Sequence, residues 1–293
     1  MSTLDNIVHD IEMQTGLRLT NYSAISIGGG CINSAYKLTA PATDIFIKLN
    51  QPSLLHMFEA EVIGLQQLSV LKAVRVPDVV CYGKTEQHSY IAMEYIELSP
   101  LNNQSASQLG QQLAQQHHQQ QDFFGWQLDN TIGSTPQANQ RHHDWLSFWQ
   151  QQRLQPQFQL AQQNGLAKRI QDKGAKLTES IAVFFDNYSP SPALLHGDLW
   201  AGNAAADSRG NPVIFDPASY YGDREADLAM TELFGGFNND FYSAYQAETP
   251  LDPGYKIRKT LYNLYHILNH FNLFGGSYSA QAESMIDQLL AET

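Results

Sequence analysis

Between residues 22 and 93, apolar and polar positions alternate over short runs. Residues 22–27, 32–39 and 45–49 read as successive strands joined by glycine or proline turns, which predicts an antiparallel sheet. From residue 54 to 71 the period lengthens. Leu54, Phe58, Val62, Leu65 and Leu68 recur at helical spacing with Glu59 and Glu61 near the front, so one helix follows the third strand. Residues 79–82 and 90–96 supply two more strands, and the polar stretch over residues 99–107 marks a boundary between residues 1–97 and 98–293. Beyond it the spacing is helical. Leu109 and Leu113 fall in one helix, residues 144–163 in a second and 166–188 in a third. The glutamine- and histidine-rich run over 111–121 reads as the solvated face of a helix. A strand-and-turn insertion at residues 194–215 interrupts this pattern before helices resume from Ala226 to Leu290, and no repeat of fixed period is present. The expected fold class is α+β with two lobes: a small antiparallel sheet carrying one helix, then a larger and mainly helical part.

Composition narrows what such a fold can serve. A chain of 293 residues with 43% hydrophobic content can bury a substantial core. A net charge of −12, with only 17 lysines and arginines, argues against nucleic acid or an anionic membrane as the main partner and favours a small molecule. Cys31 and Cys81 are the only cysteines, so there is no disulfide framework and a reducing compartment is expected. The opening Met1-Ser2-Thr3-Leu4-Asp5 runs into an amphipathic helix rather than a basic and then apolar leader, and no apolar run reaches the ~20 residues of a membrane helix. The expected location is the cytoplasm.

The chemistry concentrates after residue 195. His196-Gly197-Asp198-Leu199-Trp200-Ala201-Gly202-Asn203 is followed by a turn, the apolar strand Val213-Ile214-Phe215, and Asp216. Asn203 follows Asp198 by five residues and Asp216 follows it by 18, the separations of a kinase catalytic loop and its metal-binding aspartate. Phosphoryl transfer needs a carboxylate beside the attacking hydroxyl and hard oxygen ligands for magnesium across the triphosphate from it. Asp198 is therefore the candidate base, and Asn203 and Asp216 the candidate metal ligands. A lone His-Gly-Asp is ordinarily an Asx-type turn at a strand end, and it is the register of Asn203 and Asp216 that changes its meaning. The histidine pairs His117-His118 and His142-His143 do not make a zinc site, because adjacent helical residues point about 100° apart and no cysteine accompanies them.

The run from His196 to Asn203, the Phe215-Asp216-Pro217 step and the string Tyr221-Gly222-Asp223-Arg224-Glu225-Ala226-Asp227-Leu228-Ala229-Met230 resemble the fructosamine kinase family, the ketosamine 3-kinases. That family shares the protein-kinase-like fold with aminoglycoside and choline kinases. The resemblance spans about residues 28–237, with the Gly-Asp-Arg-Glu-Ala-Asp string as its most specific part. It implies ATP and Mg2+ as cofactors, and as acceptor a ketosamine, free or protein-bound, phosphorylated at its 3-hydroxyl. Within it, Gly28-Gly29-Gly30 would close over the phosphates, although a bare glycine turn is the commoner meaning of such a run. Lys48, a charge inside an apolar strand, would meet phosphate oxygens and a helix glutamate, Glu61 or else Glu59. Met93-Glu94-Tyr95-Ile96 resembles the hinge that holds adenine through its backbone. His196 and Asp227 would support the catalytic loop, Asp227 by hydrogen bonds from the start of the next helix.

On the acceptor side, Trp200 would stack on the sugar or its amine, or else pack in the core. The segment over residues 129–137 resembles a loop facing the acceptor, with Asn130 and Gly133 as its contacts. Asp223, with Glu225, would attract an ammonium substrate or else cap the helix and pair with Arg224. Cys31 matches a cysteine associated in the family with redox-linked dimers, so a monomer or a homodimer is expected, and a small buried thiol is its plainer reading. The same residues leave two other readings open: a small-molecule kinase acting on an aminoglycoside or choline-type alcohol, and a non-catalytic pseudokinase. Intact Lys48, Asp198, Asn203 and Asp216 weigh against the second.

Overall fold

The computed structural model describes residues 3–28, 33–41 and 43–293. Gly29, Gly30 and Cys31 lie outside the described residues. Helix α1 (Thr3–Thr15) precedes strands β1 (Ser23–Ile27), β2 (Ser34–Thr39) and β3 (Asp44–Asn50); helix α2 (Leu55–Ser69) follows, and then β4 (Val79–Lys84) and β5 (Ser89–Glu94). The five strands form one antiparallel sheet in the order β1-β2-β3-β5-β4. The two-residue period of β3 divides its side chains between two environments. Ile45, Ile47 and Leu49 join Tyr90 and Ala92 against Ile7 and Ile11 of α1. Phe46 faces the other way and packs with Ile91 and Met93 on the second core. Lys48 shares that face and is 6% exposed.

That second core is the larger, and it includes α2. Of the expected helical stripe, Phe58, Val62, Leu65 and Leu68 are buried in the same cluster as the C-terminal helices, whereas Leu54 ends the 3-10 turn before α2. Full burial of such a side chain is worth about 2 kcal/mol, so this face ties α2 to the C-terminal helices. Arg75, just before β4, adds a polar tie: it pairs with Glu94 at 2.5 Å and with Asp207, and its carbonyl accepts from the Ile214 amide at 3.0 Å.

The helical lobe opens with α3 (Asn103–Gln116), whose start is a reciprocal capping box between Asn102 and Ser105. A short hairpin of β6 (Asn130–Ile132) and β7 (Thr135–Gln137) follows, where a loop had been expected. The helix expected over residues 144–163 is broken into α4 (Trp145–Phe148), a π-helical turn (Trp149–Leu154) and α5 (Gln155–Gln163). Pro156 lacks the N–H that an unbroken α-helix needs there, and the wider turn absorbs the mismatch. After α6 (Lys168–Ser180) come β8 (Ala193–Leu195), β9 (Ala204–Ala206), β10 (Pro212–Ile214) and β11 (Tyr220–Gly222), paired as β8 with β11 and β9 with β10. Helices α7 (Arg224–Leu233), α8 (Asn239–Glu248), α9 (Tyr255–Phe274) and α10 (Tyr278–Leu290) complete the chain. Helix α7 begins two residues before the expected Ala226, because Asp223 caps it by accepting from the Glu225 amide at 3.0 Å. Among the described residues, no helix is long and apolar enough to cross a membrane.

Candidate active site

The segment around Asp198 is built by backbone constraint. Gly197 has φ +83, and a Cβ there would lie 2.1 Å from the Ala218 carbonyl oxygen, so only glycine lets these two chain segments touch. The Asp227 carboxylate accepts from the amides of His196 and Gly197 at 2.7 and 2.8 Å. His196 Nε2 is 2.9 Å from the Phe215 carbonyl, so it carries the proton, and Nδ1 accepts from the Asp198 amide at 3.2 Å. Burial pushes the His196 imidazole below its ordinary value, in keeping with that neutral tautomer. These contacts together fix where Asp198 begins.

Asn203 then turns back, its Nδ2 donating to the Asp198 carbonyl at 2.8 Å and to Asp198 Oδ2 at 3.3 Å. The Asn203 carbonyl accepts from the Phe215 amide at 3.1 Å, which brings the end of β10 alongside. Asp216, the next residue, has φ +59, a left-handed conformation uncommon outside glycine. Its carboxylate meets Lys48 Nζ, which also donates to Glu61 at 2.6 Å. Of the two candidate glutamates it is Glu61 that reaches the lysine. Burial alone would push the Lys48 ammonium down, but Asp216 and Glu61 overcompensate and hold it above its ordinary value. Removing the buried Glu61 would leave this buried ammonium less well compensated.

These groups share one cleft of about 750 Å³ between the lobes. Burial, reinforced by the nearby Asp216 charge and opposed by the Asn203 hydrogen bond, pushes the Asp198 carboxyl up to about 7. Gly28, the Met93–Ile96 segment, Gly133 and Trp200 are among the residues that line it. Trp200 is 39% exposed and meets Phe234 edge-on at 6.4 Å, so it is not a core residue. Asn203 commits its nitrogen to Asp198, and Asp216 keeps one carboxylate oxygen beyond its lysine contact. The donor set remaining on both is hard oxygen, which suits magnesium.

Two expected acceptor contacts are corrected. Asp223 is 1% exposed, and its oxygens accept from the hydroxyls of Tyr188 at 2.8 Å and Tyr262 at 2.5 Å as well as capping α7. Its neighbour Glu225 is also buried and pairs with Arg258 at 2.8 Å rather than with Arg224. Both carboxylates are engaged within the scaffold, and neither lines the cleft. Asn130 is 7% exposed and donates to the Ser219 carbonyl at 2.9 Å, behind the cleft wall.

One supporting residue was hidden by composition. His117, in the run read as a solvated face, is 1% exposed and sits between Tyr245 at 2.8 Å and Asp227 at 3.2 Å. Burial alone would raise the Asp227 carboxyl, but the hydrogen bond and charge of His117 and the loop contacts hold it below its ordinary value. The overlooked signal was spacing. Leu109, Leu113 and His117 continue one stripe at i, i+4.

A two-lobed protein-kinase-like fold with this cleft is that of a phosphotransferase acting on hydroxyl groups. Comparison supplies the particular family. A sequence profile described as fructosamine kinase matches residues 3–292. The chain is 45% identical over 285 residues to a probable ketoamine kinase of Synechocystis, covering 97% of this chain and 96% of that one. It is 42% identical over 268 residues to the chloroplastic protein-ribulosamine 3-kinase of Arabidopsis thaliana, covering 90% and 82%. A crystal structure from Haemophilus somnus, provisionally designated a fructosamine-3-kinase, superposes with a TM-score of 0.89 at 28% identity over 97% of this chain and 96% of that one. The aminoglycoside phosphotransferase APH(4)-Ia, at TM-score 0.63 and 13% identity over 99% of each chain, shares the fold alone. The chain belongs to the fructosamine kinase family.

Proposed function

We propose that this protein transfers the γ-phosphoryl group of ATP to the 3-hydroxyl of a ketosamine, free or attached to a protein amine. Residues 1–97 form the nucleotide-binding lobe and residues 98–293 the acceptor-binding lobe in this reading. The observation that carries it is the convergence of Asp198, Asn203 and Asp216 with the Lys48–Glu61 pair in one cleft. The 3-position is supported by the names of the plant relatives, protein-ribulosamine 3-kinases.

Asp198 accepts the proton of the acceptor hydroxyl through its carboxylate, held toward the cleft by Asn203 Nδ2. Lys48, held by Glu61, binds phosphate oxygens as a fixed positive charge. The backbone of residues 93–96 binds adenine, and Trp200 covers the acceptor sugar. Asn203 and Asp216 would hold magnesium, which would supply neutralisation of charge on the transferring phosphate. Catalysis then consists of positioning and charge compensation.

The test pairs a variant with product analysis. Phosphorus NMR of reactions with ribulosamine, fructosamine, an aminoglycoside and choline should show a new phosphomonoester on the ketosamine 3-oxygen only. Asp198→Asn should lower turnover by at least about 1,000-fold while ATP still binds. Wild-type turnover in that variant refutes Asp198 as the base, and phosphorylation of choline or the aminoglycoside instead refutes the acceptor.

A further inference from the structure

Behind the cleft wall, the β6–β7 hairpin and the residues just after it carry a line of buried amides that take no part in the contacts of the catalytic groups. They are Asn130, Gln137 and Asn139, at 7%, 2% and 1% exposure, with Arg153 fully buried beneath them. The Arg153 guanidinium donates to the Ala138 carbonyl at 2.6 Å and to Asn139 Oδ1 at 2.7 Å, and lies 4.0 Å from the centre of the Tyr220 ring.

A guanidinium only donates, so Asn139 turns its oxygen to Arg153 and its nitrogen outward. That nitrogen donates to the Leu128 carbonyl at 3.1 Å and to Asn130 Oδ1 at 2.9 Å. Asn130 is thereby turned with Nδ2 toward the Ser219 carbonyl, 2.9 Å away. Gln137 follows the same polarity. Its Nε2 donates to Asn130 Oδ1 at 2.7 Å and to the Ala218 carbonyl at 3.2 Å, while its oxygen accepts from the Tyr265 hydroxyl at 2.7 Å. One guanidinium sets the direction of three amides in series.

The two carbonyls at the end of that line belong to the segment just after Asp216. A left-handed aspartate, φ +59, persists only where its surroundings hold it. The Ala218 amide donates to the His196 carbonyl at 2.9 Å, so the catalytic loop holds this segment on one side and the amides hold it on the other. The geometry points to Asn130 and Gln137 as positioning residues for phosphoryl transfer. By binding the carbonyls of Ala218 and Ser219, with Arg153 setting the direction of the amides, they keep Asp216 in the backbone conformation that turns its carboxylate into the cleft. This role rests on the reading of Asp216 as a metal ligand.

Gln137→Glu keeps the side-chain shape and replaces the amide donor facing Ala218 with a carboxyl oxygen, and Tyr265→Phe removes only the hydroxyl that donates to the Gln137 oxygen. Both variants are assayed with ATP and ribulosamine over a magnesium titration. Thermal melting is followed alone and with magnesium plus AMP-PNP. The expected result is a kcat lower by about 100-fold for Gln137→Glu and about 10-fold for Tyr265→Phe. The magnesium midpoint should rise, the thermal shift produced by magnesium and AMP-PNP should shrink, and KM for ribulosamine should stay at its wild-type value. A lowered melting temperature with wild-type kcat and magnesium midpoint makes the amides merely structural and overturns the proposal. A raised ribulosamine KM at unchanged kcat overturns it in favour of direct acceptor contact. If Gln137→Glu does not fold, Tyr265→Phe decides by the same criteria. Asp216→Asn tests the underlying reading separately, since wild-type magnesium dependence in that variant removes the metal role without touching the kcat result for the amide variants.

Discussion

At Asp198, burial and the neighbouring Asp216 carboxylate push the carboxyl up to about 7. Under the proposed function Asp198 is the base and works in its ionised form, so activity should fall as the pH drops through that value. The logarithm of kcat/KM should drop with unit slope below about pH 7, and a flat profile between about pH 5.5 and 7.5 would show that Asp198 does not titrate in the rate-determining form. The same shift carries a stability sign. The fold prefers the protonated carboxyl, so a favourable contribution, fully present below the ordinary carboxylate range, is lost as the pH rises through about 7. Asp198→Asn should therefore melt higher than the wild type at pH 8 while losing activity, and a lower melting temperature there would contradict the burial argument. Candidate residues at this scale were legible where spacing is local: Asp198, Asn203 and Asp216 lie within one short segment. Asp223 and Asn130 were misplaced because their polarity suits a cleft as well as a buried network, and sequence alone does not distinguish the two.

Among the helices, α3 and α8 approach so closely that a Cβ on Gly110 would lie 2.2 Å from the Phe241 carbonyl oxygen. Helix propensity alone makes glycine to alanine a gain of about 1 kcal/mol. Here the overlap dominates. Gly110→Ala should cost about 2 kcal/mol of unfolding free energy in a denaturant titration, and a stabilised variant would mean that the two helices separate freely. Strands and long helices were legible from period. The π-helical turn at Trp149–Leu154 was not, since it is settled by where Pro156 and buried Arg153 fall against neighbouring elements. The β8–β11 pair escaped for a related reason. Three-residue strands carry too few positions for a period to show, and their partners lie far apart in sequence.

For the molecule as a whole, the sheet has two cores of different kinds. Its outer face packs on α1 in a small cluster of its own, whereas α2 and the inner face belong to the large cluster that runs through the C-terminal helices. Trp126 Nε1 reinforces this by donating to Gln67 Oε1 at 2.6 Å, and Gln67 in turn donates to the Tyr221 hydroxyl at 3.1 Å. Hydrogen exchange should accordingly show α1 and β1 opening before α2, with α2 protected alongside α9. Equal exchange of α1 and α2 would show that the N-terminal lobe opens as one body. The two-part α+β organisation, the strands around Lys48 and the spacing of Asp198, Asn203 and Asp216 are legible in the chain because each is a pattern over neighbouring residues. That Glu61 rather than Glu59 meets Lys48, that His117 supports Asp227, and that Asn130 and Asp223 serve the scaffold emerges from the folded chain alone. Those assignments depend on which groups lose water together, and contacts between residues far apart in the chain settle that.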